Sequence, residues 1–241
     1  MLLALETSNP SADGPPPGPS VALRAPSGTT LVEPLSPHAS PPAHRRGHDD
    51  DLLPAIDRLF TRAHLAPRDL AGGAVAVSIG PGGFTGLRIA CAAAKLLAES
   101  VGAHCIAVPT AHALIRRIDP DLFRAGPVAV SLAAKADTTW LHIFESPTTS
   151  PIPARLISAA EFPSLAAAHN LRTLISDRFL PEPIRAECGQ RGLNLVPPTF
   201  DAAAVLEAAE TLPRLDPLDL LPLYPREPEA VTLWRARPRP A

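Results

Sequence analysis

At 241 residues, with 46% hydrophobic and 19% charged residues, the chain holds material for one large domain or two smaller ones, each with a real core. A net charge of −2 gives no basic excess for gripping nucleic acid unaided, and no apolar run approaches the ~20 residues of a membrane span. Cys91, Cys105 and Cys188 lie far apart with no Cys-x-x-Cys pair, which argues against a disulfide framework or a thiolate metal site and fits a reduced, cytoplasmic compartment.

Met1-Leu-Leu-Ala-Leu-Glu-Thr-Ser8 has no basic segment, and its apolar part is too short for a signal peptide. It reads as a strand ending in an acid and two hydroxyls. A strand end with a lone carboxylate is expected to be solvated, its Ser and Thr satisfying local backbone, rather than catalytic. Asn9–Pro19 is a Pro/Gly-rich loop. Val21–Arg24 and Thr30–Glu33 follow as strands joined by a turn at Pro26–Gly28, completing a meander.

Pro34–Gly47 is a second loop and contains His44-Arg-Arg-Gly-His48. The His-x3-His spacing raises a metal site, but two arginines between the ligands repel a cation and the flanking prolines and Gly47 oppose a helix. A helix is expected over 49–65, with Asp49, Asp50 and Asp51 at its positive end and Leu52, Leu53, Ile56, Leu59 and Phe60 at helical spacing. Ala74–Ile79 is a strand. It leads into Gly80-Pro-Gly-Gly-Phe-Thr-Gly-Leu-Arg-Ile-Ala90, a sharp turn in which Thr85 is placed to cap the following helix.

That turn presents backbone at a helix N-terminus. It lacks the Lys-Ser/Thr of a P-loop, and the position of the third glycine in Gly-x-Gly-x-x-Gly is Thr85. By itself it is a tight packing turn. The helix over 85–101 carries Arg88, Lys95 and Glu99 on one stripe and is otherwise nearly all Leu, Ile, Ala and Cys, more apolar surface than one sheet covers. Periodicity leaves open whether this chain or a partner covers the excess.

Farther along, 104–108 reads as a strand, Thr110 to about Asp119 as a helix, and 126–132 with 138–144 as a strand pair. From 154 to 212 strand and helix alternate: strands 154–158, 172–176 and 193–196, helices 159–168, 181–190 and 201–212. No Ser-His-Asp, Cys-His or paired-carboxylate constellation can be assembled with a motif behind it. Arg235, Arg237 and Arg239 among prolines read as a solvated end.

The string Gly80, Pro81, Gly82, Gly83, Phe84, Thr85, Gly86, Leu87, Arg88, Ile89, followed by Lys95-Leu-Leu-Ala98, resembles the signature of the TsaB (YeaZ) family, Gly-Pro-Gly-Ser-Phe-Thr-Gly-Leu-Arg-Ile-Gly. Only Gly83 and Ala90 depart from it. His48-Asp-Asp-Asp-Leu-Leu-Pro54 and Leu223-Tyr-Pro-Arg226 are similar to two further family segments, whereas Ser131–Trp140 has drifted from the family's Leu-Asp-Ala-Arg-x-Gly-Glu-Val-Tyr. The resemblance implies an α/β fold of the actin-like ATPase (ASKHA, sugar kinase/Hsp70-like) superfamily, with two lobes of mixed β-sheets flanked by helices, here 1–108 and 109–241. Glu6 stands where that superfamily has an Asp handling metal and phosphate.

The resemblance further implies a non-catalytic, cytoplasmic subunit that dimerises with TsaD and supports threonylcarbamoyl transfer to the adenosine beside the tRNA anticodon. Helices 49–65 and 85–101 would form the partner face through Leu52, Leu53, Ile56, Leu59, Phe60, Arg88, Ile89, Ala93, Leu96 and Leu97, with the 80–86 turn fixing the second helix. No cofactor is expected in this chain; ATP, magnesium and metal belong to the partner subunits. A TsaE-type ATPase and tRNA would be reached through the complex, and a homodimer is open to the chain alone. The alternative is an ATP-dependent small-molecule phosphotransferase or carbamoyltransferase using Glu6 and the Gly-Pro turn.

Overall fold

The computed structural model describes residues 1–8, 18–35, 51–226, 231 and 234–235. His44, His48, Asp49, Asp50, Arg237, Arg239 and nearly all of both Pro-rich loops lie outside the described residues.

Alternation of large and small apolar residues sets the first lobe. Strands β1 (Leu2–Glu6), β2 (Ser20–Arg24) and β3 (Thr30–Pro34) form the antiparallel meander, and β4 (Ala74–Gly80) and β5 (His104–Pro109) add in parallel, giving the order β3-β2-β1-β4-β5. Leu3, Leu5, Val21, Leu23, Val75 and Val77 all point to one face, where α1 (Leu52–Arg62) and α2 (Phe84–Val101) cover them. The residues between them, Ala4, Ala22, Ala74 and Ala76, point to the other face. The alanines on the three central strands let a helix approach closely, and α7 (Ala202–Ala209), itself mostly alanine, does so, flanked by Ile106 and Val108 of β5.

That helix corrects the division at 108/109. Residues 202–209 come late in the chain yet pack on β1, β2, β4 and β5, so this part of 109–241 belongs to the first lobe.

The second lobe repeats the first. Its meander is β6 (Val128–Lys135), β7 (Thr138–Phe144) and β8 (Arg155–Ser158); β9 (Thr173–Ser176) and β10 (Asn194–Val196) extend it in parallel in the order β10-β9-β6-β7-β8. Both sheets therefore share one topology. Helices α5 (Phe162–Ala168) and α6 (Glu182–Arg191) cover one face. Gly189 lies inside α6 with open space where a Cβ would stand, so Gly189→Ala is expected to raise stability by up to about 1 kcal/mol, read from denaturant melts.

Between the lobes runs α3 (Thr110–Leu114), which gives way to a 3-10 turn at Ile115–Arg117 instead of continuing to Asp119; α4 (Asp121–Ala125) follows. Ala113 packs into the first lobe, and Ala111, Leu114 and Ile115 into the second. At this seam His112 meets His142 and Phe144 of β7, with centroids 5.1 and 5.5 Å away, and His142 lies 4.1 Å from Phe144. Burial, then the neighbouring His112, lowers the His142 pKa from 6.5 to about 4; burial, then Arg116, lowers that of His112.

A depressed folded value means that the stability His142 contributes is complete above pH 6.5 and is lost as pH falls through about 4. Unfolding free energy is expected to drop by about 2 kcal/mol over that window, after allowance for solvent screening at the ring's accessible edge. His142→Phe should remove most of this slope in guanidinium melts run across the same pH range.

The chain returns from α7 along the first lobe. Leu215 bridges Cys105, Leu220 enters the core beneath α2, and the Leu223 N–H donates to the Ile79 carbonyl at 2.7 Å. Arg226 then reaches the β6–β7 hairpin, donating to the Ala133 carbonyl and to Thr138 O and Oγ1 at 3.1 and 2.6 Å. The drifted 131–140 turn thus has a fixed attachment to the tail.

Candidate partner interface and the closed cleft

Helix α1 forms around the stripe Leu52, Ile56, Leu59 and Phe60, which turns inward. These four residues are at most 5% exposed and belong to the first-lobe core, so the expected partner face is corrected for Ile56, Leu59 and Phe60, which cover β2 and β3 and are not available to another chain; Leu52 shares that core but also lines the floor of the groove between α1 and α2. The helix start is corrected as well. Asp51 makes no capping bond; it is buried and held bidentately by Arg58, at 3.0 and 2.7 Å, while Arg58 Nε donates to Glu33 at 2.8 Å.

Outward from that stripe stands Leu53, 65% exposed. On α2, Ala90, Cys91, Ala94 and Ala98 face the sheet, Ala93 and Leu97 are half-buried, and Ile89 and Leu96 are exposed, the latter at 72%. These outward residues line one apolar groove of about 590 Å³ between the helices, together with Pro54, Ala92 and Ser100. Sequence reasoning missed the last three. The off-phase leucine at 53 was the signal: a residue outside the inward stripe should have been polar on a solvated helix.

The Gly80–Gly86 turn fixes α2 against β1. Gly80 sits at φ +108° before a cis peptide to Pro81, a backbone that suits only glycine. At Gly82 a Cβ would stand 2.1 Å from the Ser8 carbonyl oxygen. The Gly83 N–H donates to that same oxygen at 2.8 Å, and Thr7 Oγ1 donates to Gly86 O at 2.9 Å. The cap expected from Thr85 is corrected: Gly83 holds the N-cap position, no side chain caps the helix, and Thr85 lies within its first turn. Phe84 is 52% exposed and leans on Tyr224, with centroids 5.1 Å apart.

Glu6 overturns the expected solvated strand end. It is 1% exposed; its Oε1 accepts from the Ser8 N–H and Ser8 Oγ, both at 2.6 Å, and its Oε2 is buried with no hydrogen-bond partner. Burial raises its pKa above the usual carboxylate range, helped by Asp201 and opposed by Ser8 and Ser78. The Ser78 hydroxyl is itself engaged with Thr110 at 2.8 Å. A carboxyl held toward its neutral form, under a turn zipped onto Ser8, offers little to a magnesium–phosphate group.

Among the described residues no group of three or more His, Cys, Asp or Glu could hold a metal ion, and the three cysteines are free and buried, each thiol pushed up to about 11 by desolvation. No helix among the described residues is long and apolar enough to cross a membrane.

A family model described as TsaD, tRNA N6-adenosine threonylcarbamoyltransferase, matches residues 39–146. The structure of YeaZ from Pseudomonas aeruginosa superposes with a TM-score of 0.65 at 21% identity, covering 92% of this chain and 98% of that one. This is the YeaZ fold. A second structure, described as an uncharacterized protein with similarity to peptidase YEAZ from Pseudomonas aeruginosa, gives 0.64 at 22% identity over 93% and 99%. No curated protein matches the chain. The two lobes of the YeaZ fold, each a mixed sheet flanked by helices, are the actin-like arrangement, and the segment matching TsaD contains α1, the Gly-Pro turn and α2.

Proposed function

We propose that this chain is the non-catalytic companion of a TsaD-type subunit, acting in tRNA threonylcarbamoyladenosine synthesis in the cytoplasm. The observation that carries this reading is the groove between α1 and α2, which leaves Leu53, Ile89 and Leu96 exposed within a segment that matches TsaD. An apolar surface of this kind is costly to leave in water and is the usual mark of a protein-binding face. Fold likeness to YeaZ and the closure of the Glu6 corner support the same reading. In it the partner supplies ATP, magnesium and metal chemistry, tRNA and a TsaE-type ATPase join through the complex, and this chain supplies surface.

A reconstituted transfer assay tests it. Threonylcarbamoylation of tRNA by the TsaD-type subunit is expected to need this chain, and Glu6→Gln is expected to leave the rate within about twofold, since Gln is a neutral isostere of the acid held there. Because the Glu6 pKa is raised, its contribution to stability is full below pH 4.5 and lost as pH rises through the folded value; Glu6→Gln should flatten that slope. Magnesium-dependent nucleotide binding by the chain alone, abolished by Glu6→Gln, would instead favour an actin-like phosphotransferase or carbamoyltransferase.

A further inference from the structure

A second hollow lies on the other flank of α2, between that helix and the returning tail, with a volume of about 350 Å³. Phe84, Arg88, Cys91 and Lys95 line it from the helix, Leu221 and Tyr224 from the tail. The Arg88 guanidinium sits 5.0 Å from the Phe84 centroid, and Lys95 Nζ donates to the Leu218 carbonyl at 3.0 Å. Both cations therefore have their stems packed and their positions set. Neither forms an ion pair among the described residues, and no acid lines the hollow.

Two cations held over an apolar and aromatic floor are complementary to a carboxylate carried on an apolar segment. The hollow adjoins the docking groove across α2, with Ala92 lining both. Its rim is also apolar: Leu218 and Leu221 are 73% and 68% exposed. We propose that the docking face extends across α2 onto the tail, and that the TsaD-type partner places an acidic side chain, flanked by apolar residues, between Arg88 and Lys95. This rests on the companion-subunit reading and adds to it the chemistry of the partner's contact.

The test is a titration of the full-length chain with the TsaD-type subunit by isothermal calorimetry, at low and high salt. The variants are the double charge reversal Arg88→Glu/Lys95→Glu and Leu96→Asp. The double reversal is expected to weaken association at least about tenfold at low salt and to flatten the salt dependence, with the chain still folded and melting cooperatively, since only the exposed contacts to Leu218 O and the Phe84 ring are lost. If the double reversal binds like wild type while Leu96→Asp does not bind, the inference falls and the docking reading stands. If the wild-type chain does not bind the partner, both fall. If the reversal weakens only self-association, measured by sedimentation of the chain alone, the occupant is a second copy and the assignment to the partner is wrong.

Discussion

Leu96→Asp is expected to weaken association with a TsaD-type subunit by about 100-fold or more while leaving the fold intact, because it places a charge in the wall of a groove that docking would desolvate. Leu96 is mostly in water in the free chain, so its replacement removes little internal packing, and the change in unfolding free energy should stay within about 0.5 kcal/mol. Leu59→Asp is the contrast. Leu59 is fully buried on the inward face of α1, and a charge there should unfold the lobe before any question of binding arises. Affinity from calorimetry and stability from urea melts, taken on the same two proteins, separate the outward face from the inward one. Equal loss of stability in both would mean that the groove is part of the core.

Gly82→Ala is the second large effect. A methyl group there would overlap the Ser8 carbonyl, and both sides of the contact are backbone, so neither can yield by turning a side chain. Overpacking between backbone segments of a strand exit and a helix entry is expected to cost about 3 kcal/mol. The damage should spread to docking, since the same Ser8 oxygen accepts the Gly83 N–H at the first turn of α2. A variant as stable as wild type in urea, with unchanged affinity, would contradict the view that this turn sets the helix angle.

Much of the secondary structure could be read from the chain because its alternation is clean: Leu3-Ala4-Leu5 and Val75-Ala76-Val77 each announce a strand with two different faces. The alanines between them form the face on which α7 packs closely. Which helix it was could not be read locally, because α7 returns across well over a hundred residues to cover it. The outward apolar groove was half legible. Period alone gave the apolar stripe of α1 but not which body covers it, and the stripe Leu52-Ile56-Leu59-Phe60 covers its own sheet, leaving the isolated Leu53 outside. Burial of Glu6 was hidden for a related reason. The groups that enclose it, Ser78 and Asp201 among them, come from segments remote in sequence, so a strand-end acid looked solvated. The tail's contacts, Tyr224 on Phe84 and Arg226 on the β6–β7 hairpin, are likewise long-range and carried no local pattern.

Light scattering on a sizing column tests the account most directly, with the chain run alone and then mixed with the TsaD-type subunit from the same cell. A one-to-one complex, formed at the expense of any homodimer and lost in Leu96→Asp, is the predicted result. Two proteins that elute separately at micromolar concentration, with the chain folded, would contradict it.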